Sequence, residues 1–284
     1  MSDATNKPSG GFTTHITPEA LNAMIEMAWA ALTSALPEAE LPRVRGLLDI
    51  VRGADGASIR LDTHQRAVVP NLFFPGLRAR PWHDPVTFPW IAPLEDAADA
   101  IREEFRALDS AAFVPYSSSY VLEDASVEMA RPHGWNSFYF VSNFAPIEEH
   151  LRRCPRTAEA LTGVPVAKEA LFSVLDPGAR LPPHADEFNF ITTCHLGVVI
   201  PPGCGLRVGA ETRVWQEGRC LVFDTTYEHE AWNDGPSRRA VLLLDVWHPD
   251  LTPTEIAALQ MLRPGLEALF GATPQGDARY ASEE

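Results

Sequence analysis

Two histidines and one carboxylate have the composition of a metal site. His184 and Asp186 form an H-x-D motif directly after Pro182 and Pro183, and His229 lies further along the chain. Because the motif follows a turn and two prolines, we expect it to sit where a strand begins. Residues two apart on a strand share a face, so the imidazole and the carboxylate could reach one ion. Two histidines and a carboxylate on one side of an ion form the facial triad of non-haem Fe(II) oxygenases. H-x-D alone is a weak signal, since such short motifs recur by chance.

An arginine in an apolar strand strengthens this interpretation. Arg239 opens the run RAVLLLDVW, and a guanidinium inside a barrel is costly unless it meets an anion. The distal carboxylate of 2-oxoglutarate is a natural partner, because arginine offers a bidentate fork for it. The alternative is an internal pair with Asp245 on the same strand face. Arg238 is expected to point to solvent.

His195 is a further candidate, in the apolar strand TTCHLGVVI. It either donates to the carboxylate end of the cosubstrate or is a satisfied core histidine. His248, in the unit WHP at a strand end, is expected to be structural. The remaining histidines have no metal-ligand spacing and are interpreted as surface or core residues: His15, His64, His83, His133 and His150.

Composition and charge exclude several functional classes. The 284 residues are 45% hydrophobic and carry a formal net charge of −15, which is typical of a globular protein and argues against nucleic acid or an anionic membrane as partner. We expect neither a signal peptide nor a membrane span. The four cysteines lack zinc spacing and are expected to be free, mostly buried thiols, so the predicted location is cytoplasmic.

The patterning predicts one domain with a helical support and a β-core. Residues 1–14 are expected to form a disordered tail, and residues 15–284 a single domain. Its support covers residues 15–165, with helices over 18–32, 38–51, 94–108, 146–153 and 156–163 around an extended, proline-rich segment. Residues 166–250 contain seven short β-rich runs separated by turn residues, which predict a double-stranded β-helix of the jelly-roll, cupin-like type. Thr252 to Glu255 form a capping box that opens a last helix over 252–271.

These motifs resemble the aspartyl/asparaginyl β-hydroxylase family of Fe(II)- and 2-oxoglutarate-dependent dioxygenases. The resemblance is carried by PWHDPVTFPW near residue 81, by RCPRTAEAL near residue 153 and by GLRVGAETRVWQEGRCLVFDTTYEHEAWNDGPSRRAVLLLDVWHPDLT. It covers about Phe73 to Leu262, and these segments occur in the order of the family and at matching spacing.

The resemblance implies roles for particular residues. The two iron histidines of the family fall on His184 and His229, and its arginine for the distal 2-oxoglutarate carboxylate falls on Arg239. The serine that assists this arginine falls on Ser173, and the histidine near the other end of the cosubstrate falls on His195. The implied cofactors are Fe(II), 2-oxoglutarate and O₂.

The chain also departs from the family pattern. Well-known eukaryotic members have glycine where this chain has Asp186, so a third iron ligand is expected here. They also place two arginines in the strand before the HLG unit, at the positions of Ile191 and Thr193. Losing two cations favours a more neutral substrate, or carboxylate recognition by other residues such as Arg131 or Arg207.

The sequence therefore predicts a dioxygenase that hydroxylates an unactivated C–H bond of an amino-acid-like small molecule. The alternative within the family is β-hydroxylation of Asp or Asn side chains in a peptide or protein. Two other classes stay open, a metal-dependent cupin-type isomerase or binding module and a metal-free sandwich. Halogenation is disfavoured, because Asp186 would occupy the position that a halide needs.

Overall fold

A computed structural model describes residues 16–54, 56, 59–67, 72–116 and 134–269 of the chain. The expected tail, residues 1–14, lies outside the described residues. The α-helices of the described part are α1 Pro18–Ala35, α2 Pro42–Val51, α3 Ile91–Asp96, α4 Ala98–Ala107, α5 Glu148–Arg153, α6 Pro155–Leu161 and α7 Pro253–Leu269. The strands are β1 Trp82–His83, β2 Val114–Pro115, β3 Trp135–Ser142, β4 Ala145–Pro146, β5 Val166–Leu175, β6 Arg180–His184, β7 Ile191–Val199, β8 Cys204–Val208, β9 Glu211–Arg213, β10 Cys220–Phe223, β11 His229–Asn233 and β12 Arg239–Trp247.

The strands form two antiparallel sheets. The main sheet has the order β1-β10-β7-β12-β5-β3-β2, with β4 paired to β3, and the minor sheet has the order β6-β11-β8-β9. An apolar cluster that includes Leu175 and Val241 of the main sheet and Leu206 and Val208 of the minor sheet joins the two. The arrangement confirms the predicted jelly-roll fold with a helical N-terminal part.

Alternation along the central strands separates a helix-covered face from an interior face. Phe172 and Leu242 lie in a cluster with residues of α3, α4 and α6, whereas Leu175 and Val241 face the minor sheet. A third cluster joins α1, α2 and α7 to Phe190 and Trp247 at the end of β7 and β12. The strands can therefore present polar residues toward the interior while their other face remains apolar.

Local sequence signals account for most element boundaries. The side chain of Thr17 caps α1, accepting a hydrogen bond from the backbone N–H of Ala20 at 3.2 Å. The predicted capping box is present: Thr252 N donates to Glu255 at 2.9 Å and Glu255 N donates to Thr252 Oγ1 at 3.2 Å. The four cysteines are free and buried, as predicted.

Some expectations need correction. The predicted helix over 38–51 is a 3₁₀ turn followed by α2, which begins at Pro42, and the one over 94–108 is split at Ala97 between α3 and α4. Proline at the first helical position starts a helix, because it cannot donate within a preceding one. The main sheet also takes β1 to β4 from the region expected to act only as support. No helix in the described ranges is both long and apolar enough to cross a bilayer.

A close backbone crossing occurs at Gly197 in β7. Gly197 N donates to Arg219 O at 3.0 Å, and Gly218 N donates to Gly197 O at 2.8 Å. A Cβ at position 197 would lie 2.2 Å from the carbonyl oxygen of Gln216. Only glycine permits this approach, which fixes the segment carrying Trp215 against the main sheet.

We expect Gly197→Ala to destabilise the protein by about 3 kcal/mol, because the methyl group would collide with a backbone carbonyl rather than with a movable side chain. Gly163→Ala is the matched control, since an added Cβ there meets nothing within 4 Å. Urea unfolding followed by circular dichroism measures both free energies. Equal stabilities of the two variants would show that the crossing is not tight.

Candidate metal centre

Two imidazoles face each other across adjacent strands of the minor sheet. His184 is the last residue of β6 and His229 the first of β11, and the two residues are register partners in the antiparallel pair. Their ring centroids are 4.1 Å apart. Pairing of the strands is therefore enough to bring the rings together.

Backbone carbonyl groups select the same tautomer at both histidines. The Nδ1 atom of His184 lies 2.8 Å from Pro182 O, and the Nδ1 atom of His229 lies 2.9 Å from Tyr227 O. A carbonyl oxygen only accepts, so each Nδ1 carries a proton and donates it, and each Nε2 keeps a lone pair. This is the state in which a histidine binds a metal ion.

Asp186 completes a group of three possible ligands. One ligand atom from each of His184, Asp186 and His229 lies within 4.8 Å of the other two. Burial raises the pKa of Asp186, but the neighbouring imidazoles His229 and His184 outweigh it, so the pKa stays below its usual range. Burial, followed by the charge of His184, lowers the pKa of His229 to about 4, which keeps that ring neutral and able to ligate.

The route by which Asp186 reaches the group differs from the prediction. His184 ends β6 rather than beginning a strand, so Asp186 lies beyond the strand and does not share its face. A hydrogen bond from Asp186 N to Thr225 O, 2.8 Å long, holds this loop instead. Two imidazole nitrogens and one carboxylate fit Fe(II), whose facial-triad sites use this donor set.

A buried arginine lies in the same barrel. Arg239 is 1% exposed, its guanidinium lies 4.7 Å from the centroid of the Trp215 ring, and its Nη1 donates to the backbone oxygen of Ser173 at 3.4 Å. Burial lowers the pKa of Arg239 to about 10, so it remains charged at neutral pH. Within the described part of the chain Arg239 has no carboxylate partner, and its Nε is buried without a hydrogen bond. Asp245, the alternative partner, accepts instead from Thr193 Oγ1 at 2.9 Å.

His195 presents a second buried donor that lacks an acceptor. Its Nδ1 accepts a hydrogen bond from Trp215 Nε1 at 3.3 Å, so the proton of the neutral ring is on Nε2, which has no partner among the described residues. Burial, followed by the charges of Arg239 and His229, holds the pKa of His195 well below its usual range. Because buried polar groups are normally paired, the Arg239 and His195 donors suit an anion bound between them.

Ser173 lies beside this region. Its Oγ accepts a hydrogen bond from Trp135 Nε1 at 3.0 Å, and the residue is 2% exposed. Its backbone rather than its hydroxyl contacts Arg239. Among the described residues the hydroxyl proton of Ser173 has no acceptor, so it can be donated to a ligand.

The sequence did not reveal an acidic wall whose charges interact with that of Asp186. The wall consists of Glu169 on β5, Asp245 on β12 and Glu187, and the charge of Lys168 acts on all three. Burial, followed by the charge of Glu169, raises the pKa of Asp245 to about 8. Burial likewise raises the pKa of Glu169. A glutamate within the otherwise apolar run EALFSVL was the available signal for this wall.

Of the two arginines suggested as substitutes for the family arginines, the structure describes only Arg207. Arg207 lies on the minor sheet and is paired with Glu228 and Glu230, so its charge is already compensated. Arg131 lies outside the described residues. Ile191 is buried in the apolar cluster with α1, α2 and α7.

His83, His150 and His248 do not belong to the metal group. His83 and His248 are buried and pack edge to face, with ring centroids 5.4 Å apart. The ring of His150 stacks on Phe138, and its Nδ1 lies 2.6 Å from Tyr139 O. His15 and His133 lie outside the described residues.

Comparison with known proteins identifies similar sequences. The family model described as aspartyl/asparaginyl beta-hydroxylase matches residues 95–249, more than half of the chain. The chain is 33% identical over 189 residues to the ornithine lipid ester-linked acyl 2-hydroxylase of Rhizobium tropici, a match covering 64% of the chain and 66% of that protein. It is 33% identical over 194 residues to the human aspartyl/asparaginyl beta-hydroxylase, covering 65% of the chain and 25% of that protein. The chain thus spans two thirds or less of the length of these relatives.

Solved structures resemble the chain in part. A prolyl-4-hydroxylase of Pseudomonas putida matches 56% of this chain and 98% of its own, with a TM-score of 0.34 and 16% identity. A prolyl hydroxylase of Trichoplax adhaerens matches 54% of this chain and 79% of its own, with a TM-score of 0.35 and 13% identity.

We expect His229→Ala to weaken Fe(II) binding by at least about 100-fold, because it removes one of three ligands. Asp186→Ala should also weaken Fe(II) binding, by about tenfold or more, because it removes the carboxylate of the three-ligand group. His64→Ala is the control. Anaerobic isothermal titration calorimetry measures the Fe(II) affinity of each variant. Unchanged Fe(II) binding by His229→Ala would show that this residue is not an iron ligand.

Proposed function

This chain belongs to the aspartyl/asparaginyl β-hydroxylase family, and from that premise we propose that it is an Fe(II)- and 2-oxoglutarate-dependent dioxygenase. Its reaction converts 2-oxoglutarate, O₂ and a substrate C–H bond into succinate, CO₂ and the corresponding alcohol. The observation that carries the proposal is the group of His184, Asp186 and His229, with ligand atoms within 4.8 Å, in the same barrel as a buried arginine that has no carboxylate partner among the described residues.

The division of labour follows from the position of each side chain. His184, Asp186 and His229 would hold the iron, which when bound supplies the activation of O₂ for an otherwise unreactive C–H bond. Arg239 offers two guanidinium nitrogens to the distal carboxylate of 2-oxoglutarate, and Ser173 Oγ is placed to add a third donor.

We assign His195 a role between the metal group and the region of Arg239. Its ring lies 4.9 Å from that of Phe223, which in turn lies 6.0 Å from that of His229. The Nε2–H of His195 has no acceptor among the described residues and can therefore donate to an oxygen of the cosubstrate. The surrounding Trp215 and Phe223 are buried, so water is excluded and these hydrogen bonds are strengthened.

An amino-acid-like small molecule is the substrate that we propose. The human relative is named for hydroxylation of aspartyl and asparaginyl groups, and the Rhizobium relative for hydroxylation of a lipid acyl chain. Reaction with an Asp side chain of a peptide is the alternative. It would bring a further carboxylate into a region where burial already raises the pKa of Glu169 and of Asp245 and so disfavours another negative charge.

We expect Arg239→Gln to raise the KM for 2-oxoglutarate by about tenfold to a hundredfold, because a charged hydrogen bond to the carboxylate is lost. Arg238→Gln is the matched neighbour, since that side chain is exposed and paired with Asp176. Steady-state 2-oxoglutarate consumption measures both. The assignment of Arg239 would be wrong if both variants remained folded and had the same KM for 2-oxoglutarate.

The proposed reaction is tested by succinate production. Protein loaded anaerobically with Fe(II) is mixed with 2-oxoglutarate, O₂ and a panel of amino acids, N-acyl amino acids and short Asp peptides. We expect one class to increase succinate well above the substrate-free background and to yield a product heavier by one oxygen atom. His229→Ala is the control for iron chemistry in solution. Succinate no higher than in this control, with every compound, would contradict the oxygenase assignment.

A further inference from the structure

We propose that Trp215 is a positioning residue for the cosubstrate: its indole N–H holds His195 as a hydrogen-bond donor, and its ring face holds the guanidinium of Arg239. The inference rests on the proposed function, because it concerns the binding of 2-oxoglutarate at the same site. It is carried by the contacts of one buried indole with both residues and by the backbone crossing that fixes this indole.

The indole N–H of Trp215 determines which nitrogen of His195 can donate. Trp215 Nε1 lies 3.3 Å from His195 Nδ1, and the centroids of the two rings are 6.0 Å apart. An indole N–H only donates, so Nδ1 of His195 accepts and carries no proton. The single proton of the ring is then on Nε2, which is buried and has no partner among the described residues. Trp215 therefore keeps His195 in the tautomer that can donate to an oxygen of the cosubstrate.

The ring face of Trp215 supports the buried charge of Arg239. The guanidinium carbon lies 4.7 Å from the centroid of the Trp215 ring, and Arg239 is 1% exposed. A π face attracts a cation without occupying any of its N–H donors. The contact from Nη1 to Ser173 O is long, at 3.4 Å, and Nε has no partner among the described residues. The ring thus holds the guanidinium while leaving its donors for the distal carboxylate of 2-oxoglutarate.

The backbone next to Trp215 is fixed to the strand that carries His195. The carbonyl oxygen of Gln216 lies so close to Gly197 of β7 that a Cβ there would be 2.2 Å away. Gly197 also forms backbone hydrogen bonds with residues 218–219. His195 belongs to the same strand, so the crossing sets the distance between the indole and the imidazole. The two contacts of Trp215 are therefore built into the fold.

Trp82 offers a matched control within the same interior. Trp82 and Trp215 are buried members of one apolar cluster, and each has an arginine over its ring, with the guanidinium of Arg213 4.4 Å from the centroid of Trp82. Unlike that of Trp215, the Nε1 atom of Trp82 has no hydrogen-bond partner among the described residues. Trp82→Phe therefore removes the same atoms from the same cluster without breaking a side-chain hydrogen bond.

The tautomer of His195 is the first readout. Nuclear magnetic resonance is recorded on the full chain with nitrogen-15 in its histidine rings and loaded with Zn(II), which is diamagnetic, and His195→Asn identifies the resonances. We expect His195 to be protonated on Nε2 alone in the wild type and in Trp82→Phe. In Trp215→Phe we expect both tautomers, because Nδ1 loses its donor. A change in packing alone would not redistribute this proton.

The affinity for 2-oxoglutarate is the second readout, measured by isothermal titration calorimetry on the same Zn(II)-loaded proteins. Trp215→Phe, which keeps an aromatic face, should weaken binding by about threefold to tenfold, and Trp215→Leu, which also removes that face, by about tenfold to a hundredfold. Trp82→Phe should stay within about twofold of the wild type. 2-Oxovalerate, which has a methyl group in place of the distal carboxylate, should be weakened equally by both Trp215 variants, because it offers Arg239 no anion. Thermal unfolding confirms that each variant is folded.

The outcomes separate this inference from the proposed function. Wild-type protein that binds 2-oxoglutarate, together with a folded Trp215→Phe variant of unchanged affinity or unchanged His195 tautomer, would overturn the positioning role alone. Equal weakening by Trp82→Phe would also overturn it, because the effect would then be one of general packing. Wild-type protein that shows the expected tautomer but binds no 2-oxoglutarate would contradict the proposed function and, with it, the role of Trp215 toward this cosubstrate.

Discussion

Charge buried inside a β-barrel is the constraint on which this structure depends. Arg239 and the wall of Glu169 and Asp245 occupy different parts of one interior, and the metal group shares that interior. Each of these charges is costly in an apolar surrounding, and the described residues do not fully compensate them. The fold therefore maintains binding energy that only ligands of complementary charge can use. Under the proposed function, the distal carboxylate of 2-oxoglutarate would compensate Arg239, and Fe(II) would compensate the charge of Asp186.

The scaffold holds these groups apart through backbone features rather than through the side chains themselves. Gly197 admits the crossing segment that places Trp215 between His195 and Arg239. A register irregularity between Leu244 and Val246 falls at Asp245. Both features lie on strands whose opposite face is packed against helices, so the rigid core fixes positions that charge repulsion would otherwise disturb.

Much of this arrangement could be predicted from the sequence, but not all of it. The strand runs, the capping box and the locations of His229, His195 and Arg239 within strands follow from periodicity and local hydrogen-bonding chemistry. Long-range pairing is not local, so the strand β6 and the shared wall of Glu169 and Asp245 were not recognised. Glu169 sits in an apolar run that reads as core, and its meaning depends on a strand more than seventy residues away.

The position of Asp186 explains why the third ligand can differ among relatives. His184 and His229 are fixed by strand pairing and by carbonyl groups that orient their rings. Asp186 lies beyond the end of β6, where a backbone hydrogen bond to Thr225 O holds the loop whatever side chain is present. A glycine at this position, as in the resembled eukaryotic members, would preserve that bond and the two histidines while removing one negative charge. In this chain Asp186 adds a negative charge that glycine would not supply, and this charge contributes to raising the pKa of Glu169 and of Asp245, after the larger effect of burial.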